Sequence, residues 1–252
     1  MKDWTYARSR LTVVAPSRWI EGLAKESPLL GRFPVRFIPN GLDARVFRPA
    51  PKEEARAGLG LDPTRRVVLF SAHSVLDRRK GGALMQEALA RLSAAGASNV
   101  PLLVLGAGAE EWEAGPGLEV VRLKSLEDDE RLALVYSAAD VFVLPTLAEN
   151  LPNGVIESMA CATPPVTFDV GGCPDAVRHL ETGYLARYKD AEDLARGIRL
   201  LLEDEELRRR LARRGREVVE AEYTSELQAA RFFALYEEVT AGSAAPARSS
   251  PR

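Results

Sequence analysis

Lysine is scarce in this 252-residue chain: six residues (Lys2, Lys25, Lys52, Lys80, Lys124 and Lys189) stand against 28 arginines. The bias is compositional, of the kind a GC-rich genome produces. Cysteine is scarcer still. Cys161 and Cys173 have no metal-ligand spacing, and two thiols make no disulfide framework. Cys161 lies among small residues in a helical run, where a buried, inert thiol is expected. No stretch approaches the ~18 uninterrupted apolar residues of a membrane span. Residues 1–10 are too polar for a secretory signal, so cytoplasm is the expected compartment. Neither sign of charge dominates: 34 basic and 36 acidic side chains leave a formal net charge of −2, which gives no footing for nucleic-acid binding.

What remains is ordinary for a globular chain, 46% hydrophobic and 28% charged, long enough for one good core or two small ones. Seven short apolar, β-branched runs read as buried strands, at residues 11–14, 35–38, 67–70, 102–105, 120–123, 141–144 and 165–168. Helical patterns lie between them. Residues 82–95 carry Leu84, Met85, Ala88, Leu89 and Leu92 on one face, and residues 129–139 carry Leu132, Leu134, Val135 and Ala138. Alternating strands and amphipathic helices imply parallel strands with right-handed crossovers, hence an α/β fold with a doubly wound, Rossmann-like parallel sheet.

Pro39-Asn40-Gly41 is a strong turn signal, and residues 43–62 read as a linker with a short helix. A boundary is therefore expected near residue 41. Upstream lie two strands and one helix, residues 17–25, with Ser17 as N-cap. Three elements cannot bury a doubly wound sheet, so residues 1–40 read as the remnant of a preceding domain and residues 41–240 as the principal one. Residues 191–202, 205–221 and 225–239 read as helices, the last with an aromatic face of Phe232, Phe233 and Tyr236. That face is expected to pack back on the upstream helix or to mediate a homodimer. The arginine-rich run at 208–216 is flanked by acids and reads as a solvated helix face. Residues 241–252 read as a disordered tail.

The chemistry concentrates in Glu149-Asn150-Leu151-Pro152-Asn153-Gly154-Val155-Ile156-Glu157. A buried strand ends at Pro145, a polar loop follows, and a helix starts near Asn153 or Gly154. In an open α/β sheet, ligands bind beyond the carboxyl ends of the strands. A helix start there offers unpaired N–H groups and a positive dipole end, which suit phosphate. Glu149 in the loop and Glu157 one turn into the helix can face the same crevice at different depths. Carboxylates accept hydrogen bonds from paired hydroxyls, so two acids straddling a phosphate suggest a sugar and a ribose on either side of a diphosphate.

This stretch resembles the signature of the glycosyltransferase family 4 (group 1) enzymes, whose fold is two Rossmann-like domains facing a cleft. Further matches follow in family order: residues 35–49 resemble the interdomain connection, residues 70–81 the first strand and phosphate loop, residues 103–108 the second strand and turn, and residues 169–175 the glycine turn beyond the acids. The resemblance covers about residues 11–238 and identifies the chain chiefly as the C-terminal, donor-binding half. It implies retaining transfer of a glycosyl group from a nucleoside diphosphate sugar, without cofactor or metal. Carried over residue by residue, Glu149, Asn150, Leu151, Pro152 and Asn153 would hold the donor sugar, with Glu149 at the catalytic centre. Arg79, Lys80 and Gly154 would hold the diphosphate, Glu157 the ribose, and Lys124, Ser125 and Leu126 the nucleobase. One departure is Ser74, six residues before Lys80, where many members have a second phosphate-binding arginine.

Alternatives are weaker or remain open. Gly106-x-Gly108 lacks the third glycine of a dinucleotide fingerprint, since position 111 is Glu. Glycoside hydrolysis also uses two acids, but needs no diphosphate clamp. A sugar-nucleotide epimerase of the same architecture fits the Glu149–Glu157 loop less well. His73 and His179 have no obvious carboxylate partner and read as structural. The family's acceptor-binding half has no counterpart here. A non-catalytic nucleotide-sugar-binding module, a homodimer, a partner chain carrying the other half, and peripheral membrane contact therefore stay open.

Overall fold

The computed structural model describes residues 2–96, 100–115 and 118–243. Its centre is a six-stranded parallel sheet in the order β5-β4-β3-β6-β7-β8. The strands are β3 (Val68–Ser74), β4 (Leu102–Ala107), β5 (Val120–Leu123), β6 (Val141–Leu144), β7 (Pro165–Phe168) and β8 (Tyr184–Ala186). A separate two-stranded parallel sheet pairs β1 (Val13–Ala15) with β2 (Val35–Phe37). Six of the seven expected strands lie within two residues of their expected bounds, while β3 runs on four residues past Phe70, to Ser74. β8 is an addition: the run Tyr184-Leu185-Ala186 is apolar but too short to give a sequence signal.

The strands are apolar on both sides because helices cover both faces. Leu69, Leu103 and Phe142 point into one core with helix α5 (Asp129–Ala138) and helix α6 (Asn153–Ala160). Their alternate neighbours Val68, Phe70, Val104, Val141 and Val143 point into the other, against helix α4 (Gly82–Ala94) and helix α8 (Ala191–Glu203). That alternation is the period of two of an extended chain. Phe70, Phe142 and Phe168 are fully buried, each contributing about 1.5–3 kcal/mol by burial.

The strand order decides where a ligand can bind. The chain passes from β3 outward to β4 and β5, then returns across β3 to build β6, β7 and β8 on the other side. The connections after β3 and β6 therefore diverge, opening a crevice at their carboxyl ends.

At the opposite end of the sheet, the segment expected to be a linker is anchored. Helix α3 (Lys52–Ala57) places Lys52 Nζ and Arg56 Nη2 each 2.6 Å from the buried Asp140 carboxylate, which also accepts from the Val67 N–H at 2.8 Å. Burial alone would raise the Asp140 pKa, but Lys52, Val67 N–H and Arg56 outweigh it and hold the carboxyl below its usual range. Helix α9 (Glu205–Glu222) corrects the expectation of a wholly solvated arginine face. Arg208 is buried, donating to the Leu201 carbonyl at 2.7 Å. Arg216 ties α9 to the connection through the Phe47 and Ala44 carbonyls, at 2.5 and 3.0 Å.

Helix α2 (Arg18–Glu26) is capped by Ser17, as expected. Helix α10 (Ser225–Ser243) runs four residues beyond its expected end, and the expected tail beyond it lies outside the described residues. It reaches the first sheet through an Arg36–Glu238 ion pair, yet Phe233 and Tyr236 are 70% and 59% exposed. Those two aromatics are not packed on α2. Helix α1 (Lys2–Ala7) and the short α7 (Cys173–Ala176) had not been expected. Leu134, expected on the apolar face of α5, is exposed. Among the described residues no helix is long and apolar enough to cross a membrane.

Candidate functional site

The turn after β3 is built to meet the turn after β6. Asp77 caps a single 3-10 turn, residues Arg78–Lys80, by accepting from the Arg79 N–H at 2.9 Å. Gly81 follows with φ +73°, and a Cβ there would lie 1.8 Å from the Pro145 carbonyl oxygen. Only glycine allows that approach. The Arg79 carbonyl accepts from the Leu147 N–H at 2.7 Å and from Thr146 Oγ1 at 3.0 Å. Lys80 is thereby carried to the loop of Glu149, and its Nζ forms an ion pair with Glu149 Oε1.

The Glu149 loop is held from behind. Gly172 donates its N–H to the Glu149 carbonyl at 3.1 Å, and at Gly171 (φ +57°) a Cβ would lie 2.1 Å from that same oxygen. α6 then starts at Asn153 with no side-chain cap. Its first N–H groups are free of helical partners and carry the positive end of the dipole. One turn in, Glu157 is held by a hydrogen bond from the Tyr136 hydroxyl to its Oε2, at 2.9 Å. Burial raises the Glu157 pKa above its usual value, more than that hydrogen bond lowers it. Burial and the Glu157 charge push the Tyr136 hydroxyl well up, keeping it a donor.

These groups line one cleft of about 530 Å³ at the carboxyl ends of β3 and β6. Lys80, Glu149, Leu151, Pro152, Asn153, Gly154, Glu157, Ser125 and Leu126 all face it. Three candidates do not. The Arg79 side chain folds back on Asp77 at 2.7 Å, because a 3-10 turn sends successive side chains in different directions. Asn150 is engaged by Ser17, whose hydroxyl donates to Asn150 Oδ1 at 2.6 Å. Lys124 points away towards Glu110, 3.6 Å distant.

Other residues join the cleft without having been singled out. Asn40 belonged to a turn signal, but its amide donates to Asn153 Oδ1 at 3.0 Å and it lines the wall. Tyr136 was hidden in the apolar pattern of α5, and Ser71 lies inside β3, just past the expected strand end at Phe70. His73 had been read as structural, yet it is exposed and lines the cleft. His179 is structural, accepting from the Leu185 N–H at 3.1 Å and packing against the Tyr184 ring at 4.7 Å.

A doubly wound sheet binds its ligands at the switch point, and here a cation, two acids and an open helix start meet there. Comparison with known proteins makes this particular. The family model for glycosyl transferases group 1 matches residues 51–218. The chain is 32% identical over 187 residues to the D-inositol 3-phosphate glycosyltransferase of Rhodococcus erythropolis, covering 69% of this chain and 42% of that protein. The sucrose-phosphate synthase of Thermosynechococcus elongatus superposes with a TM-score of 0.81 at 30% identity, over 94% of this chain and 61% of that one. HepE of Anabaena, solved in complex with UDP-glucose, shares the fold alone: TM-score 0.75, 18% identity, 90% of this chain and 64% of that one. The chain therefore belongs to the group 1 glycosyl transferases and has the fold of a GT-B domain. It spans about half the length of the curated relatives it matches, 42% in the case quoted.

Proposed function

We propose that this chain is chiefly the donor-binding half of a retaining glycosyltransferase that uses a nucleoside diphosphate sugar. Convergence of Lys80, Glu149 and Glu157 on one cleft at the switch point carries the proposal. Residues 41–240 form the donor-binding unit. Lys80 and the N–H groups at Asn153 and Gly154 clamp the diphosphate, with the helix dipole adding to the lysine charge. Glu149 and the backbone of residues 150–153 hold the sugar hydroxyls. Glu157 accepts from the ribose hydroxyls, and Ser125 and Leu126 border the base. Relatives support this: one is named for glycosyl transfer to inositol 3-phosphate, and a structural neighbour was solved with UDP-glucose.

In the transfer step the bond between the anomeric carbon and the phosphate oxygen breaks. The acceptor hydroxyl attacks from the same face, and its proton passes to the leaving phosphate. No protein nucleophile and no metal enter. Lys80 and the α6 start stabilise the charge developing on the leaving group. Arg79 adds charge beside the site rather than within it, since Asp77 already holds its guanidinium.

The test is a thermal-shift panel of UDP, GDP and ADP sugars, repeated with Glu157→Ala and Lys80→Ala. At least one donor should stabilise the wild type, and both variants should lose most of that shift. Failure of every nucleotide to stabilise the wild type overturns the proposal.

A further inference from the structure

We propose that Tyr136 is the positioning residue of the nucleotide site: its hydroxyl fixes the Glu157 carboxylate so that one oxygen stays turned to the ribose. The inference rests on the donor-site assignment above. Tyr136 is buried on α5, its ring edge-on to Phe142 at 5.5 Å and 86°. Its carbonyl accepts from Thr163 Oγ1 at 2.7 Å. Ring and backbone are thus clamped, and the hydroxyl has little freedom. Among the described residues it is the one protein donor to Glu157, bonding Oε2 at 2.9 Å, while Oε1 has no hydrogen bond from the protein. Gly154 leaves this hydroxyl room, since a Cβ there would crowd it at 3.1 Å. Ser71, within β3, lines the same cleft. Two walls of the cleft, α5 and α6, are therefore joined through one phenol.

A carboxylate buried this deeply needs a donor to stay ionised. Tyr136 supplies it, and no cation offsets the burial. The other titratable neighbour, Asp129 at the start of α5, opposes ionisation. A Tyr136→Phe change removes one oxygen and leaves the packing, so the carboxylate should protonate at higher pH and lose its fixed direction.

The experiment is calorimetric titration with the tightest of UDP, GDP and ADP, its 2′-deoxy counterpart and inorganic pyrophosphate, from pH 5 to 8. Tyr136→Phe should weaken the ribonucleotide about tenfold, as expected for a hydrogen bond to a charged group. It should erase the preference over the deoxynucleotide, shift the pH midpoint of binding upward and leave pyrophosphate binding unchanged. Glu157→Gln should also erase the preference, and the double variant should bind no worse than Glu157→Gln alone. Wild-type ribonucleotide affinity and midpoint in Tyr136→Phe, or additive losses in the double variant, overturn the positioning role. A wild type that binds pyrophosphate but no nucleotide overturns the donor-site assignment instead.

Discussion

Replacing Glu149 with glutamine should tighten binding of a nucleoside diphosphate while weakening binding of the corresponding nucleotide sugar. In the empty cleft Glu149 Oε1 holds Lys80 Nζ, so an incoming diphosphate must win the lysine from the carboxylate. It must also tolerate the carboxylate as a like-charged neighbour. A unit charge about 6 Å from the phosphates at an effective dielectric of about 20 is worth about 3 kcal/mol. The two side chains remain 23% and 18% exposed, so screening reduces that to about 1 kcal/mol. Glutamine removes the repulsion and should tighten the diphosphate about fivefold. With the sugar attached, the variant also loses a charge-assisted hydrogen bond of about 1.5–3 kcal/mol, for a net weakening of about two- to thirtyfold. Isothermal titration of UDP and a UDP sugar, or the matching pair for another base, measures both at once. In a Lys80→Ala background the part of the gain that comes from freeing the lysine should vanish, leaving only the part due to the lost repulsion. If Glu149→Gln binds the diphosphate no tighter than the wild type, the lysine exchange is refuted.

Three further outcomes follow from the packing. Asp140→Ala strands the buried Arg56 guanidinium and should cost about 3–5 kcal/mol; calorimetric melting should show a fall of about 6–20 °C, and an unchanged Tm would refute the anchoring role. Glu157→Gln should raise Tm near pH 7, because burial raises the carboxyl pKa in the folded state. Below pH 4.5 the acid is protonated folded or unfolded; above it the folded state loses stability as pH rises through the raised folded-state pKa, so the two melting curves should merge near pH 4. Cys161 and Cys173 are buried, and burial pushes both thiols up to about 12. At pH 8 neither is a thiolate, so iodoacetamide should label them only after unfolding, as intact-mass measurement would read.

Much of the fold was legible because its strands are short apolar runs and its helices carry one apolar stripe. β8 and α7 were not legible. Three or four residues give too little period to register, and their neighbours define them. The phosphate loop was legible as chemistry but not as direction. Arg79 and Lys80 are adjacent and equally cationic, yet only Lys80 faces the cleft, because the turn places Arg79 against its own cap. The same limit applies to Asn150, taken by Ser17 across a sequence distance no local pattern could bridge. His73 and Asn40 enter the cleft from strand and turn positions whose side-chain directions local sequence does not fix.

By itself the sequence determined the alternation of strand and helix, the loop that ends β6, and the spacing that puts Glu149 before a helix start and Glu157 one turn inside it. These are local properties, set by side-chain period and by turn chemistry. Tertiary structure decided which side chains share the cleft. The return of the chain across β3 brings Lys80 to Glu149, 69 residues apart, and the packing of α5 on α6 brings Tyr136 to Glu157, 21 residues apart. Such contacts depend on strand order and helix packing, which a one-dimensional pattern does not contain.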